Sequence, residues 1–218
     1  MRNLLNLHLV NHLFEVKGRY FSSEAYSLPF PVKEVIIGLI LGDASIVRKY
    51  TKGNAYFKYA QSVKHAEYLN LVFSLLKPYC NMSSPTLGQV KLRNTTYGVV
   101  SFTSRSLPCF TELHTLFYLD GIKVVPSNIA ELLTPMGLAF WSQDDGSKCS
   151  SGFHLNTNAF SMADLELLLN VLRVKFGLTC SLHSRSRGHR IYISASSMSA
   201  FRALVTPHFH SSMLYKLS

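Results

Sequence analysis

The chain repeats itself at long range. An apolar run closed by an acid and a small residue occurs as "EVIIGLILGDAS" (34–45) and again as "GLAFWSQDDGSK" (137–148). Aligning Asp43-Ala44 with Asp145-Gly146 places the copies 102 residues apart in a chain of 218. Self-similarity at a fixed period constrains architecture more than any single segment does, because each copy must build the same local unit. The flanks agree. After the first copy come β-like runs "SIVRKY" (45–50) and "AYFKYAQ" (55–61) around a Lys-Gly-Asn turn, a helix at 64–77, a hairpin at 86–103 and a helix at 105–118. After the second come "GFHLNTN" (152–158), a helix at 161–176, a hairpin at 179–195 and a helix at 197–206. The pattern predicts a mixed α/β (α+β) fold of two pseudo-symmetric αββαββα halves with antiparallel sheets and the two acid-tipped helices on the axis. Residues 1–30 read as an N-terminal extension, 31–126 as the first half with its motif helix at 34–44, and 127–218 as the second with its motif helix at 135–146.

The acids sit where a helix should not want them. The run 132–143 reads as a helix stopped at Gly146, so Asp144 and Asp145 fall at its carbonyl end, the negative end of the helix dipole. A lysine, a basic ligand or a metal ion is therefore expected nearby. One such Asp makes no more than an Asx turn. Two, at equivalent ends of repeated helices, face each other across an axis and repel unless a proton or cation lies between them. An all-oxygen site suits a hard divalent cation, so the pair is expected to hold Mg²⁺. Gly38 and Gly42 share one helix face and permit close approach; Phe140 and Asp144 occupy those places in the second copy, which predicts an asymmetric helix contact.

Composition indicates the partner. With 22 Lys+Arg against 12 Asp+Glu, a formal charge of +10 and a pI near 9.5, the chain suits a polyanion, nucleic acid before a membrane surface. Strand alternation puts Gln89, Lys91 and Arg93 on one face with Val90 and Leu92 turned to the core. Arg48, Lys52 and Lys58 charge the preceding hairpin, and Lys148 follows the second acid. In the second half Ser181, His183, Arg185 and Arg187 line up beside Arg190, Tyr192 and Ser194. These side-chain types read base edges and phosphates. A merely solvated face would include acids, yet 45–66 and 167–218 contain none. No apolar run reaches the ~18 residues of a membrane span, and the basic residues alternate on strands, not along an amphipathic helix. Cys80, Cys109, Cys149 and Cys180 form no CxxC pair, which argues against zinc and a disulfide framework and for a reducing compartment. Without a Ser-His-Asp order or an activated thiol, metal-activated water is the expected nucleophile.

The repeated segments "IIGLILGDA" (36–44) and "LAFWSQDDG" (138–146) each align over nine positions with the LAGLIDADG motif, and "LTPMGLAFW" (133–141), "LNT" (155–157) and "MLYKL" (213–217) extend the likeness. The chain resembles the single-chain, double-motif LAGLIDADG homing endonucleases along the whole family domain. The resemblance implies saddle-shaped sheets in the DNA major groove and metal-dependent cleavage of both strands of a long asymmetric site, leaving 3′ overhangs and promoting intron mobility. It makes Asp43 and Asp145, at the eighth motif position, the metal ligands, joined by the backbone of Ala44 and Gly146. Asp144, at the seventh, becomes a bystander. Lys123 and Lys216 fall at the family's basic pocket positions, and Gln61 and Asn158 are candidates for ordering water. Mg²⁺ is the expected cofactor, with Mn²⁺ substituting and Ca²⁺ supporting binding without turnover. Double-stranded DNA is the partner, intron RNA a second one, and a monomer acting in an organelle, mitochondrial matrix before chloroplast, the expected setting. The rival readings are an RNA-splicing maturase of the same fold and a non-catalytic DNA-binding protein.

Overall fold

A computed structural model describes residues 27–186 and 188–218; most of the N-terminal extension, and Arg187, lie outside the described residues. Helix α1 (Phe30–Leu41) begins a turn before position 34, because Pro31 falls in its first turn, where a missing N–H costs nothing. Strand β1 (Ser45–Val47) turns into β2 (Tyr56–Ser62), helix α2 (Ala66–Leu76) follows, and β3 (Thr86–Leu92) and β4 (Thr95–Thr103) form the long hairpin. Helix α3 (Pro108–Phe117) leads into a two-residue ladder, β5 (Tyr118–Leu119) with β6 (Ile122–Lys123), and a single turn α4 (Ile129–Leu132).

The second half then repeats the plan. Helix α5 (Pro135–Asp145) is separate from α4 and does not continue it from 132 as the apolar run suggested. A residue before proline is pushed out of the helical region; Thr134 is extended and its hydroxyl accepts from Gly137 N, capping the new helix. Strands β7 (Gly146–Cys149) and β8 (Gly152–Asn156), helix α6 (Met162–Asn170), strands β9 (Cys180–Arg185) and β10 (Gly188–Ile193), and helix α7 (Met198–Val205) complete it. A 3-10 segment, Ser211–Lys216, closes the chain. The sheet orders are β1-β2-β4-β3 and β7-β8-β10-β9, antiparallel throughout, so the two halves share one topology.

Helices α1 and α5 pack against each other between the sheets, with Ile36, Leu39 and Ile40 buried on one and Leu138 and Trp141 on the other. Their closest approach is backbone to backbone. A Cβ added to Gly38 would lie 2.1 Å from the Gly137 carbonyl oxygen, so only glycine allows this crossing. Gly38 thus meets Gly137, not Phe140, and Phe140 packs beside the Tyr68 ring, at 6.0 Å between centroids. The connector between halves is pinned as well: Asp164 completes a capping box with Ser161 and accepts from Val125 N at 2.7 Å. No described helix is long and apolar enough to cross a membrane.

Candidate active site and nucleic-acid face

The positive groups expected at the helix ends are lysines. Lys123 Nζ donates to the carbonyls of Ile40 (2.9 Å), Gly42 (3.4 Å) and Ala44 (2.8 Å), closing the end of α1. Lys216 Nζ donates to the carbonyls of Gln143 and Asp144, closing the end of α5. Each half therefore supplies one ammonium to the last carbonyls of its own motif helix, where the dipole favours a cation. Burial lowers the proton affinity of both lysines, and the charges of Asp43, Asp144 and Asp145 raise it again.

Three carboxylates gather at these capped ends. Burial, then the charge of Asp43, raises the Asp145 pKa to about 7, with Lys123 and Lys216 pulling the other way. Asp144 is no bystander. A Cβ on Gly42 would fall 2.6 Å from the Asp144 Cβ, so the missing side chain of Gly42 makes the room Asp144 occupies. There Asp144 Oδ1 accepts from Tyr59 (2.6 Å) and Tyr68 (3.1 Å), and Oδ2 from Asp43 N (3.1 Å). All these donors belong to the first half, so Asp144 is a polar peg set across the interface. Burial and the neighbouring Asp43 charge raise its proton affinity, while the Tyr59 hydroxyl and Asp43 N–H oppose the rise.

The two water-ordering candidates part company. Gln61 Nε2 donates to Asp43 Oδ2 at 2.7 Å, with Tyr59 Oη at 3.1 Å and Asp144 Oδ1 at 3.3 Å. Asn158 is exposed, its backbone packed against Gly188. Asn158 is not the structural counterpart of Gln61. Ser45 pairs with Lys58 and Ser147 with His154, so Lys58 corresponds to His154 and, three residues on, Gln61 corresponds to Thr157. The Thr157 hydroxyl donates to His189 O at 2.8 Å. The Ala44 carbonyl, the first half's backbone candidate, accepts from Lys123 at 2.8 Å.

The sheet faces are unlike. In the second sheet, register places His154, Asn156, Ser181, His183, Arg185, Arg190 and Tyr192 on one face and buried Phe153, Leu155, Ile191 and Ile193 on the other. The His183 and Tyr192 rings stack at 4.6 Å, and His154 Nε2 lies 3.3 Å from His183 Nδ1. Arg190 Nε and Asn156 Oδ1, on cross-strand neighbours, are shielded from solvent and have no partner among the described residues. Lys148 pairs with Phe153, so it shares the core-side face of an edge strand. His154 escaped the sequence reading, although alternation with Phe153 and Leu155 marks it.

In the first sheet the expected alternation is inverted. Leu87 pairs with buried Val100, so Gln89 and Lys91 continue the core-side face, past the helices that cover it. Val90 and Leu92 lie on the opposite face with Lys58, and all of β3 is exposed. Arg93 is in the turn, with φ 53°, not in the strand. Arg48 donates to Gly53 O and Thr51 O and so holds its own turn together. Lys52 is exposed beside it. The four cysteines are free, and burial raises the Cys80, Cys109 and Cys180 pKa values to about 11, which excludes them as nucleophiles at neutral pH.

Comparison with known proteins matches this architecture. Residues 33–201 fit the LAGLIDADG DNA endonuclease family. The cytochrome b mRNA maturase bI2 of Debaryomyces hansenii is 33% identical over 191 residues, covering 84% of this chain and 72% of its own length. "Probable intron-encoded endonuclease 1" of Wickerhamomyces canadensis is 29% identical over 195 residues, covering 85% of this chain and 83% of its own. The homing endonuclease I-WcaI bound to its DNA recognition sequence superposes with a TM-score of 0.83 at 24% identity, over 95% of this chain and 96% of that one.

Proposed function

The chain belongs to the LAGLIDADG DNA endonuclease family, and we propose that within it the protein is a divalent-metal-dependent homing endonuclease. It would cut both strands of a long asymmetric DNA site and leave 3′ overhangs, acting as a monomer because one chain carries both acids. The observation that carries this reading is the pair of lysine-capped helix ends that bring Asp43 and Asp145 into mutual charge range.

The donor set fits a hard cation. Asp145 lies within charge range of Asp43 at a cost to its own ionised form, and a cation between them relieves that cost. Among the described residues no group of three or more His, Cys, Asp or Glu forms a complete protein cage. That suits Mg²⁺, which usually takes one or two carboxylates and completes its shell with water and substrate phosphates. Asp43 and Asp145 would hold the ion, with the Gly146 backbone beside the second; it supplies Lewis-acid stabilisation and an activated water when bound. The chain's own groups do the rest. Asp144 fixes the Asp43 backbone, Gln61 orients the Asp43 carboxylate, and the lysines keep both helix ends closed while adding positive charge near the scissile phosphates. Arg185, Arg190, His183 and Tyr192 would read base edges from the second sheet, with Lys91 on phosphates from the first and Lys58 on that sheet's outward face.

A second reading has its own support. A relative at 33% identity is named a maturase, and a splicing cofactor needs the basic face but not the acids. We place either activity in an organelle, from the low-acid composition and that relative's named work on cytochrome b mRNA. Selection of cleaved sites from a randomised DNA library, with and without Mg²⁺, tests the first reading. Metal-dependent cuts at one site class support it; splicing of intron RNA by a chain that cuts no DNA replaces it with the second.

A further inference from the structure

We propose that His65 is a positioning residue for the Asp43 side of the site, acting through Gln61, and that Tyr215 holds it in place. Gln61 Oε1 lies 3.3 Å from His65 Nδ1, and His65 Nε2 lies 3.2 Å from the Tyr215 hydroxyl. One pattern of hydrogens satisfies the row. The Gln61 amide nitrogen must face the Asp43 carboxylate, since the amide oxygen there would meet another acceptor. Its oxygen then needs a donor, which makes His65 carry its proton on Nδ1 and accept from Tyr215 on Nε2. Donors thus run in one direction, Tyr215 to His65 to Gln61 to Asp43. Burial and the Lys216 charge keep the imidazole neutral, against Asp43 and with Lys64, as this direction requires.

The consequence is chemical. An amide oxygen is a good ligand for a hard cation. With that oxygen gripped by His65, Gln61 stays a donor to Asp43 and is kept from turning to capture the ion. The second half has no counterpart, because Thr157 bonds His189 O and Asn158 is exposed. Tyr215 comes from the closing segment whose next residue, Lys216, caps α5, so one short piece of chain serves both sides of the site.

The proposal rests on the endonuclease reading for its catalytic arm alone. Strand-resolved cleavage, with each DNA strand labelled separately and the enzyme saturated, is compared for wild type, His65→Ala, His65→Gln and Tyr215→Phe. His65→Ala should slow cutting of one strand by about tenfold to a hundredfold, the scale of a misplaced positioning group. The other strand should stay within about twofold, and DNA affinity should not change. Tyr215→Phe should slow the same strand by about threefold, and His65→Gln, whose amide can still donate to Gln61, should recover part of the loss. Equal loss on both strands, or none, overturns the proposal. Nitrogen-15 spectra of the imidazoles in the full chain supply the second arm. His65 should carry its proton on Nδ1 and shift in Tyr215→Phe; a proton on Nε2 overturns the proposal. If wild type cuts neither strand, the endonuclease reading fails and the spectra alone decide the relay.

Discussion

The two halves share one topology and divide the work between them. In the first, polar groups are sunk beneath the helix ends: Tyr59, Gln61 and Tyr68 converge on Asp43 and Asp144. In the second, they lie on the open sheet face: His183 and Tyr192 stack, with His154 packed at an angle to both, beside Arg190. The difference starts from single residues at matched positions. Gln61 stands where the second half has Thr157, and Gly42 where it has Asp144, so the repeat fixes where an acid sits but not how it is held. Duplicated topology needs only matched apolar patterning, and that leaves every polar position free to diverge.

The largest effect should come from the two acids that the repeat does keep alike. Asp43→Asn and Asp145→Asn should each lower double-strand cleavage by at least about a thousandfold, with site binding within a few-fold, because a neutral amide holds a cation poorly. Gel shift beside cleavage kinetics checks this. A variant that still cuts one strand would show that each acid serves mainly its own strand, as the His65 arrangement on the Asp43 side expects; a variant that cuts both strands at full rate would remove that acid from the metal site. Calcium replacing magnesium should give binding without cutting; efficient cleavage in calcium would count against the scheme.

Asp144 breaks the symmetry, and its loss should be felt in stability before chemistry. Asp144→Ala strands the Tyr59 and Tyr68 hydroxyls in a closed interface, at about 2–4 kcal/mol by urea denaturation. Asp144→Asn should cost about half as much and lower cleavage less than tenfold, far short of Asp145→Asn. Equal inactivation by the two amide substitutions would mean that the metal register is Asp144, not Asp145.

Asp145 should make the site sensitive to pH. A carboxyl raised to about 7 from an ordinary value near 4 disfavours its ionised form in the folded chain. Without metal, its contribution to stability is therefore full below about pH 4 and is lost as pH climbs through about 7. A cation reverses the preference by holding the ionised form. Divalent affinity should fall about tenfold per pH unit below 7, with close to one proton released per ion bound. Calorimetry in buffers of different ionisation heat measures that number. A flat affinity between pH 5.5 and 7.5 would place the ion away from Asp145.

Much of this was written in the sequence, and the failures share a cause. Apolar periodicity and the repeated acids are local signals, so the helices, the element order of each half and the matched positions of Asp43 and Asp145 were legible. The lysines were legible through resemblance, supported by the repeat because each ends its own half; no local pattern links Lys123 to Asp43, 80 residues away. The Asp144 peg was invisible because its partners, Tyr59 and Tyr68, read as ordinary core aromatics. Alternation failed at β3, because it gives two faces without saying which one the helices cover; Leu92 and Val90 looked buried only by being apolar. Proline at 135 was the better boundary signal than the apolar run that crossed it.

The smallest effect should separate reading DNA from holding it, and it turns on the inverted faces. Arg190 lies on the outward face of the second sheet, and its Nε has no partner among the described residues. Arg190→Ala should cost about 1–3 kcal/mol in binding and relax preference at one or two base pairs at one end of the site. Lys91 projects from the overhanging core-side face of the first sheet. Lys91→Ala should weaken all sequences alike and make the salt slope shallower by about 0.9, the signature of one lost phosphate contact. Lys58, on the opposite face, serves as the internal control: if the first sheet reads bases at all, Lys58→Ala should alter preference at the end opposite to Arg190. Cleavage-site logos for the three variants decide it. Should Lys91→Ala change base preference while Lys58→Ala does not, the hairpin must twist its core-side face into the groove, and the contrast between the two sheets would fall.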